Sequence, residues 1–256
     1  DITAISAQFR KDHRAPAALM VLVLRAAGRP LDSFTLVPAN LLRYVGASFK
    51  TAAPTIASLR SIYQRSQTLY KHQLWAKTYL GLKDLDAEIQ AELELALHLQ
   101  ATEAAHTDEL AMAACHWLYE RRILIPGPRR VQDWARDAFA AIEADILRSL
   151  IAAVPAEVLQ RCHKSVHSQR PDAPITHLEW LKTPSKRHGA SSLAETLDKI
   201  SYLKSLSVHE WPLDSIAIPK QRAYAQQVQS RRPAKNRELK DTTQAIELVC
   251  FLRMSL

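Results

Sequence analysis

"LLRYVGASFKTAAPTIASL", residues 41–59, has the pattern of two helices joined by a short turn. We predict a helix over residues 38–49, a turn over residues 50–53, and a second helix that begins at Pro54, because proline suits the first turn of a helix. Gly46 would lie where the two helices cross closely. This plan is typical of a helix-turn-helix, whose second helix enters the major groove of DNA.

The outward face of the second helix carries the candidate base-reading side chains. Its apolar residues share the opposite, inward face: Ile56, Leu59, Ile62 and Tyr63. We expect Ser61, Gln64 and Arg65 to point away from them, with Arg60 at the flank. Small, amide and guanidinium groups can bind base edges or phosphates. An ordinary helical hairpin with a solvated basic face has the same local pattern.

The charges around this stretch are sorted along the chain. Residues 33–83 contain seven Lys or Arg and no Asp or Glu, whereas residues 84–110 contain eight acids and no Lys or Arg. Basic side chains on phosphates release condensed counterions, and a nearby carboxylate opposes that effect. The sorting therefore favours a DNA-binding surface and adds Lys50, Lys71 and Lys77 as candidate phosphate contacts. The acidic stretch is either a surface for another part of a longer protein or a solvated helix face.

Two further basic clusters are candidates for DNA contacts. The first lies where one predicted helix ends and the next begins, a place that favours an anion: Arg121, Arg122, Arg129 and Arg130. Pairing of these arginines with Glu120 and Asp133 is the alternative. The second lies in a predicted loop: Arg231, Arg232, Lys235 and Arg237. It could follow phosphates or be simply solvated.

Composition predicts the fold class. The chain has 256 residues, 47% hydrophobic residues, only five glycines and a net charge of +8. Abundant Ala and Leu favour helices, and nearly every segment has a helical pattern. We therefore predict an all-α fold of tandem helical DNA-binding modules with helix-turn-helix-like pairs. The expected parts are a first domain over residues 1–82, a second over 83–165, a linker over 166–191 and a third helical segment over 192–256.

Catalytic and metal-binding signatures are missing from the sequence. The three cysteines form no CxxC pair, and no Gly-rich phosphate loop, nucleophile elbow or HExxH motif is present. The longest apolar run, residues 15–24, is too short for a membrane span. We expect no catalytic residue, no metal site and no cofactor in this chain, and a cytoplasmic location.

Several segments resemble, in order, the N-terminal part of replicative transposases of the Tn-three family. They are "DITAISAQFRKDHRAPAALMVLVLRAAGRPL", "LLRYVGASFKTAAPTIASL", "KHQLWAKTYLG", "LYERRILIPGPRRVQDWA" and "LDKISYLKSLSVHEWPLDSIAIPKQRAYAQQVQSRRP". Two features depart from the family pattern: Lys50 stands where a small turn residue is expected, and "HRAPAA" precedes the first core helix.

The resemblance implies an all-α, multi-module region that binds the terminal inverted repeats of a transposon. It also implies that cleavage and strand transfer use acidic residues and a divalent metal in a later RNase-H-like domain, so that this chain is a non-catalytic fragment. The implied partners are double-stranded DNA of the transposon ends and the remainder of the transposase chain, near the bacterial nucleoid and without a membrane. Self-association would belong to the full-length protein.

Our prediction is sequence-specific binding of inverted-repeat DNA. Two alternatives stay open. One is a general nucleic-acid-binding module, for RNA or DNA, without preference for the repeat. The other is a helical scaffold that binds protein partners through residues 84–110.

Overall fold

The computed structural model describes residues 1–154, 156–184, 189–232, 235–236 and 241–256, with only the backbone of residues 241–244. The predicted all-α fold is confirmed. The helices, in chain order, are α1 (Ile2–Gln8), α2 (Lys11–Ala27), α3 (Ala39–Ser48), α4 (Ile56–Tyr63), α5 (Ser66–Leu80), α6 (Ala87–Ala101), α7 (Thr107–Glu120), α8 (Pro128–Ala153), α9 (Ala156–His167), α10 (His177–Lys182), α11 (Ala190–Ser205), α12 (Ile218–Ser230) and α13 (Asp241–Ser255). The strands β1 (Gln169–Arg170) and β2 (Ala173–Thr176) form a small antiparallel hairpin.

The chain divides into two compact units. Unit 1 comprises Asp1–Leu95 and Ala111–Trp134, and unit 2 comprises Ala96–Leu110 and Ala135–Leu256. Each unit therefore takes two separate stretches of the chain. Independent folding of residues 1–82, 83–165 and 192–256 stays a prediction.

Helix α2 is the centre of unit 1. Its apolar run, "PAALMV", is buried over residues 16–21, and α1, α3 and α5 all pack against this helix. Alanines within the run let neighbouring helices approach without loss of side-chain entropy. Helix α2 ends at Gly28, which has a left-handed φ of 64°, as is common for a glycine after a helix.

The segment that precedes Gly81 is helix α5, despite its basic and polar composition. Its Trp75 and His72 rings pack edge-on against Phe9, at centroid distances of 5.0 Å and 4.7 Å. This packing stabilises a helix whose sequence alone shows little amphipathic pattern. Trp75 packs against the core of unit 1, whereas Tyr70 on the same helix is 62% exposed.

Unit 2 is built around α12, which packs against α13 and is buried at Tyr224 and Val228. Residues 166–182, part of the expected linker, form the end of α9, the β1–β2 hairpin and α10. Helix α10 begins with a capping box, in which Thr176 and Glu179 each bond to the backbone of the other. Leu178 is wholly buried in the core of this unit, so these residues belong to the folded body.

Neither a membrane-spanning helix nor a metal-binding cluster is present among the described residues. No helix there is both long and apolar enough to cross a membrane. In the same part of the chain, no group of three or more His, Cys, Asp or Glu side chains is arranged to hold a metal ion.

Candidate nucleic-acid interface

The turn after α3 holds Lys50 in an unusual backbone conformation. Its φ is 52°, in the left-handed region. The Lys50 N–H donates to the Ala47 carbonyl at 3.1 Å, and the Thr51 N–H donates to the Gly46 carbonyl at 3.0 Å. These two bonds make a Schellman motif, whose left-handed position usually belongs to glycine. Lys50 is exposed, so the turn presents an ammonium group to solvent at the end of α3.

Gly46 allows the chain to fold back closely after α3. A Cβ on Gly46 would lie 2.7 Å from the Cα and 2.8 Å from the backbone nitrogen of Ala53. The close approach expected at Gly46 is therefore present, but it is to the turn rather than to the second helix. The connection from α3 to α4 is longer than the three or four residues of a helix-turn-helix turn, because α4 begins after its capping residue Thr55 and not at Pro54.

Gly46→Ala is expected to destabilise the chain by about 1–3 kcal/mol, because the new methyl group meets backbone atoms that cannot rotate away. Urea unfolding followed by circular dichroism measures this change. Gly127→Ala is the matched control, since nothing lies within 4 Å of the position of its Cβ. Equal free energies of unfolding for the two variants would contradict the close approach.

The second predicted helix is split in two. Helix α4 ends at Tyr63, Gln64 is its C-cap, and Arg65 is the N-cap of α5. The prediction that Ser61, Gln64 and Arg65 share one helix face is therefore wrong. They lie instead at a bend between two helices, which we call the α4–α5 corner (residues 60–71).

A buried polar cluster stabilises this corner from inside. The His72 ring, only 3% exposed, bonds through Nδ1 to the Tyr63 hydroxyl at 3.1 Å and through Nε2 to Nδ1 of His13 at 3.2 Å. Burial, and secondarily the nearby His13, lowers the pKa of His72 to about 4, while burial raises the pKa of Tyr63. His72 and Tyr63 are both neutral at pH 7, so neither adds a charge to the inside of the corner.

The outside of the α4–α5 corner is polar and basic. The exposed side chains with candidate roles there are Arg60, Ser61, Gln64, Arg65 and Lys71. None of its three cations has an ion pair within the described part of the chain. Helix α5 has no acid in its first turn, so its free N–H groups and dipole also favour an anion.

Lys77 differs from these cations. Its Nζ lies 2.6 Å from Oδ2 of Asp84, and its side chain is only 22% exposed. A phosphate contact by Lys77 would have to compete with this carboxylate. Asp84, the first acid after residues 33–83, therefore forms an ion pair with a lysine of that stretch.

The four arginines near the end of α7 and the start of α8 are all exposed. The guanidinium of Arg121 lies 4.0 Å from the centre of the Trp117 ring, and Arg122 has a left-handed φ of 56°. Arg130 donates to the side-chain carbonyl of Gln90 at 2.8 Å and also lies over Trp134. The alternative to a DNA contact was pairing of the arginines with Glu120 and Asp133. Neither Arg121 nor Arg122 forms an ion pair with Glu120, which lies 3.5 Å from His116.

The third basic cluster is only partly accessible. Arg231 bonds to Glu247 with both of its terminal nitrogens, one of them at 2.8 Å, and the Glu247 side chain is 1% exposed. Arg232 and Lys235 are exposed. Arg237 lies outside the described residues.

Two residues of importance escaped the sequence analysis. Glu247, in the apolar final helix, shows no local sign that it binds Arg231. Lys83 lies at the end of the acid-free stretch, and only the tertiary structure brings it beside Arg122, whose carbonyl accepts the Lys83 N–H at 2.8 Å. No sequence signal predicts a pairing of residues that are so far apart along the chain.

Comparison with known proteins identifies the family. Residues 1–138, more than half of the chain, match the family described as a domain of unknown function, DUF4158. The chain therefore belongs to the DUF4158 family.

Relatives of known name are transposases. The transposase for insertion sequence element IS1071 in transposon Tn5271, from Comamonas testosteroni, is 32% identical over 255 residues, which are 99% of this chain and 26% of that protein. The transposase for transposon Tn1546, from Enterococcus faecium, is 21% identical over 218 residues, or 81% of this chain and 21% of that protein. The chain spans about a quarter of the length of these relatives. The resemblance to the N-terminal region of Tn-three family transposases is confirmed.

Proposed function

We propose that this chain binds double-stranded DNA, at the terminal inverted repeats of a transposon, through the α4–α5 corner and Lys50. In this proposal it is the non-catalytic N-terminal part of a transposase. Cleavage and strand transfer, with their divalent metal, belong to a further domain of that longer protein. The observation that carries the proposal is the set of exposed, unpaired cations at the corner, on a stretch of the chain that has no acid.

The corner supplies groups for both kinds of DNA contact. Gln64 and Arg65 are adjacent at the bend, and both side chains are exposed. An amide can bind the edge of adenine, and a guanidinium the edge of guanine, each through two hydrogen bonds. Arg60 and Lys71 have no carboxylate partner in the described chain, which leaves their full charge for phosphates. Base contacts then give specificity, and phosphate contacts give affinity and salt dependence.

Arg65→Ala is expected to weaken binding to the transposon end by roughly 1–3 kcal/mol and to reduce the preference over a scrambled duplex. Lys71→Ala is expected to weaken both duplexes alike and to make the slope of log K against log salt shallower by about one unit. Fluorescence anisotropy at several salt concentrations, with the terminal sequence of the transposon and a scrambled duplex, measures both changes.

Arg148→Ala is the matched control, because Arg148 is an exposed arginine that already pairs with Asp145. It should leave both affinities unchanged. Equal losses of Arg65→Ala on matched and scrambled DNA would refute its base-reading role. Binding of structured RNA as tightly as the transposon end would favour a general nucleic-acid binder. A wild-type chain without salt-dependent binding to any nucleic acid would refute the proposal as a whole and favour the protein-binding alternative.

A further inference from the structure

We propose that the loops after α5 and α7 together form a separate binding site for the phosphodiester backbone of DNA, made by Lys83, Arg121 and Arg122. This inference rests on the proposed function, since it takes DNA as the ligand. It adds a site at the other end of α5 from the corner, and a residue, Lys83, that no sequence pattern singles out.

The backbone joins the two loops at this site. The Lys83 N–H donates to the Arg122 carbonyl at 2.8 Å, and the Leu124 N–H donates to the Lys83 carbonyl at 2.9 Å. The Ile125 N–H then donates to the Gly28 carbonyl at 2.9 Å, and Ile123 is buried. These bonds pair the backbone of Lys83 with that of Ile123, next to Arg122, in a hydrogen-bonded part of unit 1, as a preorganised site requires.

Three basic residues with no acidic partner in the described part of the chain lie in the two loops that meet at this junction. Lys83, Arg121 and Arg122 are all exposed, and none has an ion pair within the described residues. The two acids that are adjacent in sequence have other basic neighbours: Asp84 pairs with Lys77 and Glu120 lies beside His116. Cations that no acid neutralises keep their full charge for a bound anion.

The backbone of Arg122 has a left-handed conformation that is unusual for an arginine. Its N–H donates to the Tyr119 carbonyl at 3.0 Å, and the Ile123 N–H donates to the Leu118 carbonyl at 2.9 Å. This is a Schellman motif with an arginine in the left-handed position, where glycine avoids the steric clash of a Cβ. A cation near the end of α7 suits the helix dipole, but the preceding Arg121 supplies that charge without strain. A role for the Arg122 side chain in binding explains why the strained position holds an arginine.

The test compares two variants of the 256-residue chain, Arg122→Gly and Lys83→Gln. Arg122→Gly should raise the melting temperature by about 2–4 °C because it removes strain, and should weaken binding to a mixed-sequence DNA duplex by about tenfold in 50 mM salt. Lys83→Gln should weaken binding to a similar extent with little change in melting temperature. Each variant should make the salt slope shallower by about one unit.

Two control variants test whether relief of backbone strain, or the loss of one positive charge anywhere in the chain, is enough to change DNA binding. Ser207 has a left-handed φ of 55° but no charge, so Ser207→Gly should raise the melting temperature and leave DNA binding unchanged. Lys204 is an exposed lysine of unit 2, so Lys204→Gln tests the loss of one charge elsewhere.

Three outcomes would overturn the inference. One is a wild-type chain that binds DNA while Arg122→Gly and Lys83→Gln keep its affinity and salt slope; the proposed function would then stand and only this site would fail. Another is equal weakening by Lys204→Gln, which would indicate an effect of net charge alone. A wild-type chain that fails to bind any duplex would refute this site and the proposed function together.

Discussion

Arg231→Ala is expected to lower the free energy of unfolding by about 3–5 kcal/mol, because it leaves the carboxylate of Glu247 buried without a partner. Glu247 is 1% exposed, and both terminal nitrogens of Arg231 bond to it. One of those nitrogens also donates to the Gln227 side chain at 2.8 Å. The arginine thus ties the end of α12 to α13, and urea unfolding of the variant measures the loss.

Arg232→Ala is the matched control, since the neighbouring arginine is exposed and surface substitutions usually change stability by less than about 0.5 kcal/mol. Replacement of both partners, Arg231→Met with Glu247→Leu, should recover most of the stability, because an apolar pair carries no desolvation penalty. A loss no larger than that of Arg232→Ala would show that the ion pair is not a stabilising element. It would also return Arg231 to the group of candidate DNA contacts.

Lys220→Ala is expected to cost about 2–5 kcal/mol, as does truncation of a long buried side chain. Lys220 is 0% exposed, its Nζ donates to the Ala101 carbonyl at 2.7 Å, and it lies 4.1 Å from the centre of the Phe139 ring. The ammonium group therefore satisfies a carbonyl at the end of α6. Lys220→Met, which keeps most of the volume, should cost less than about 1.5 kcal/mol.

The pH dependence separates the charge of Lys220 from its volume. Burial lowers the pKa of Lys220 to about 8, although the nearby Glu143 opposes this effect. Between pH 8 and the ordinary pKa of 10.5, the unfolded chain binds a proton that the folded chain does not. The stability of the wild type should therefore rise with pH relative to Lys220→Met, by up to about 1.4 kcal/mol per pH unit. Parallel stability curves for the two proteins would contradict a lowered pKa of Lys220 in the folded chain.

The broad architecture was predictable because it depends on local properties. Abundant Ala and Leu, few glycines and helical spacing of apolar residues predicted an all-α chain, and α3 begins and ends close to the predicted residues 38–49. The stretch without acids also predicted a basic surface, and its cations at the α4–α5 corner are exposed. Properties of this kind are carried by each residue and its near neighbours, whatever the rest of the chain does.

Errors arose where a distant contact overrides the local pattern. No glycine or proline separates α4 from α5; the bend at Gln64 accompanies the bond between Tyr63 and the buried His72. Leu193 and Leu197 have the helical spacing of a buried face in α11, yet they are exposed at 62% and 54%. A helical period shows which residues share a face, not whether that face is covered.

Composition and local pattern alone determined that this protein is helical and contains a basic stretch of chain without acids. Tertiary structure alone decided which cations remain available to a ligand. Arg231 and Lys220 lie in the same basic chain, yet one bonds to a glutamate 16 residues away and the other to a carbonyl 119 residues away. The backbones of Lys83 and Arg122 are joined by a hydrogen bond, and both side chains are exposed. The physical reason is that a charge interacts with whatever lies within a few ångströms of it, and folding brings those neighbours from distant parts of the chain.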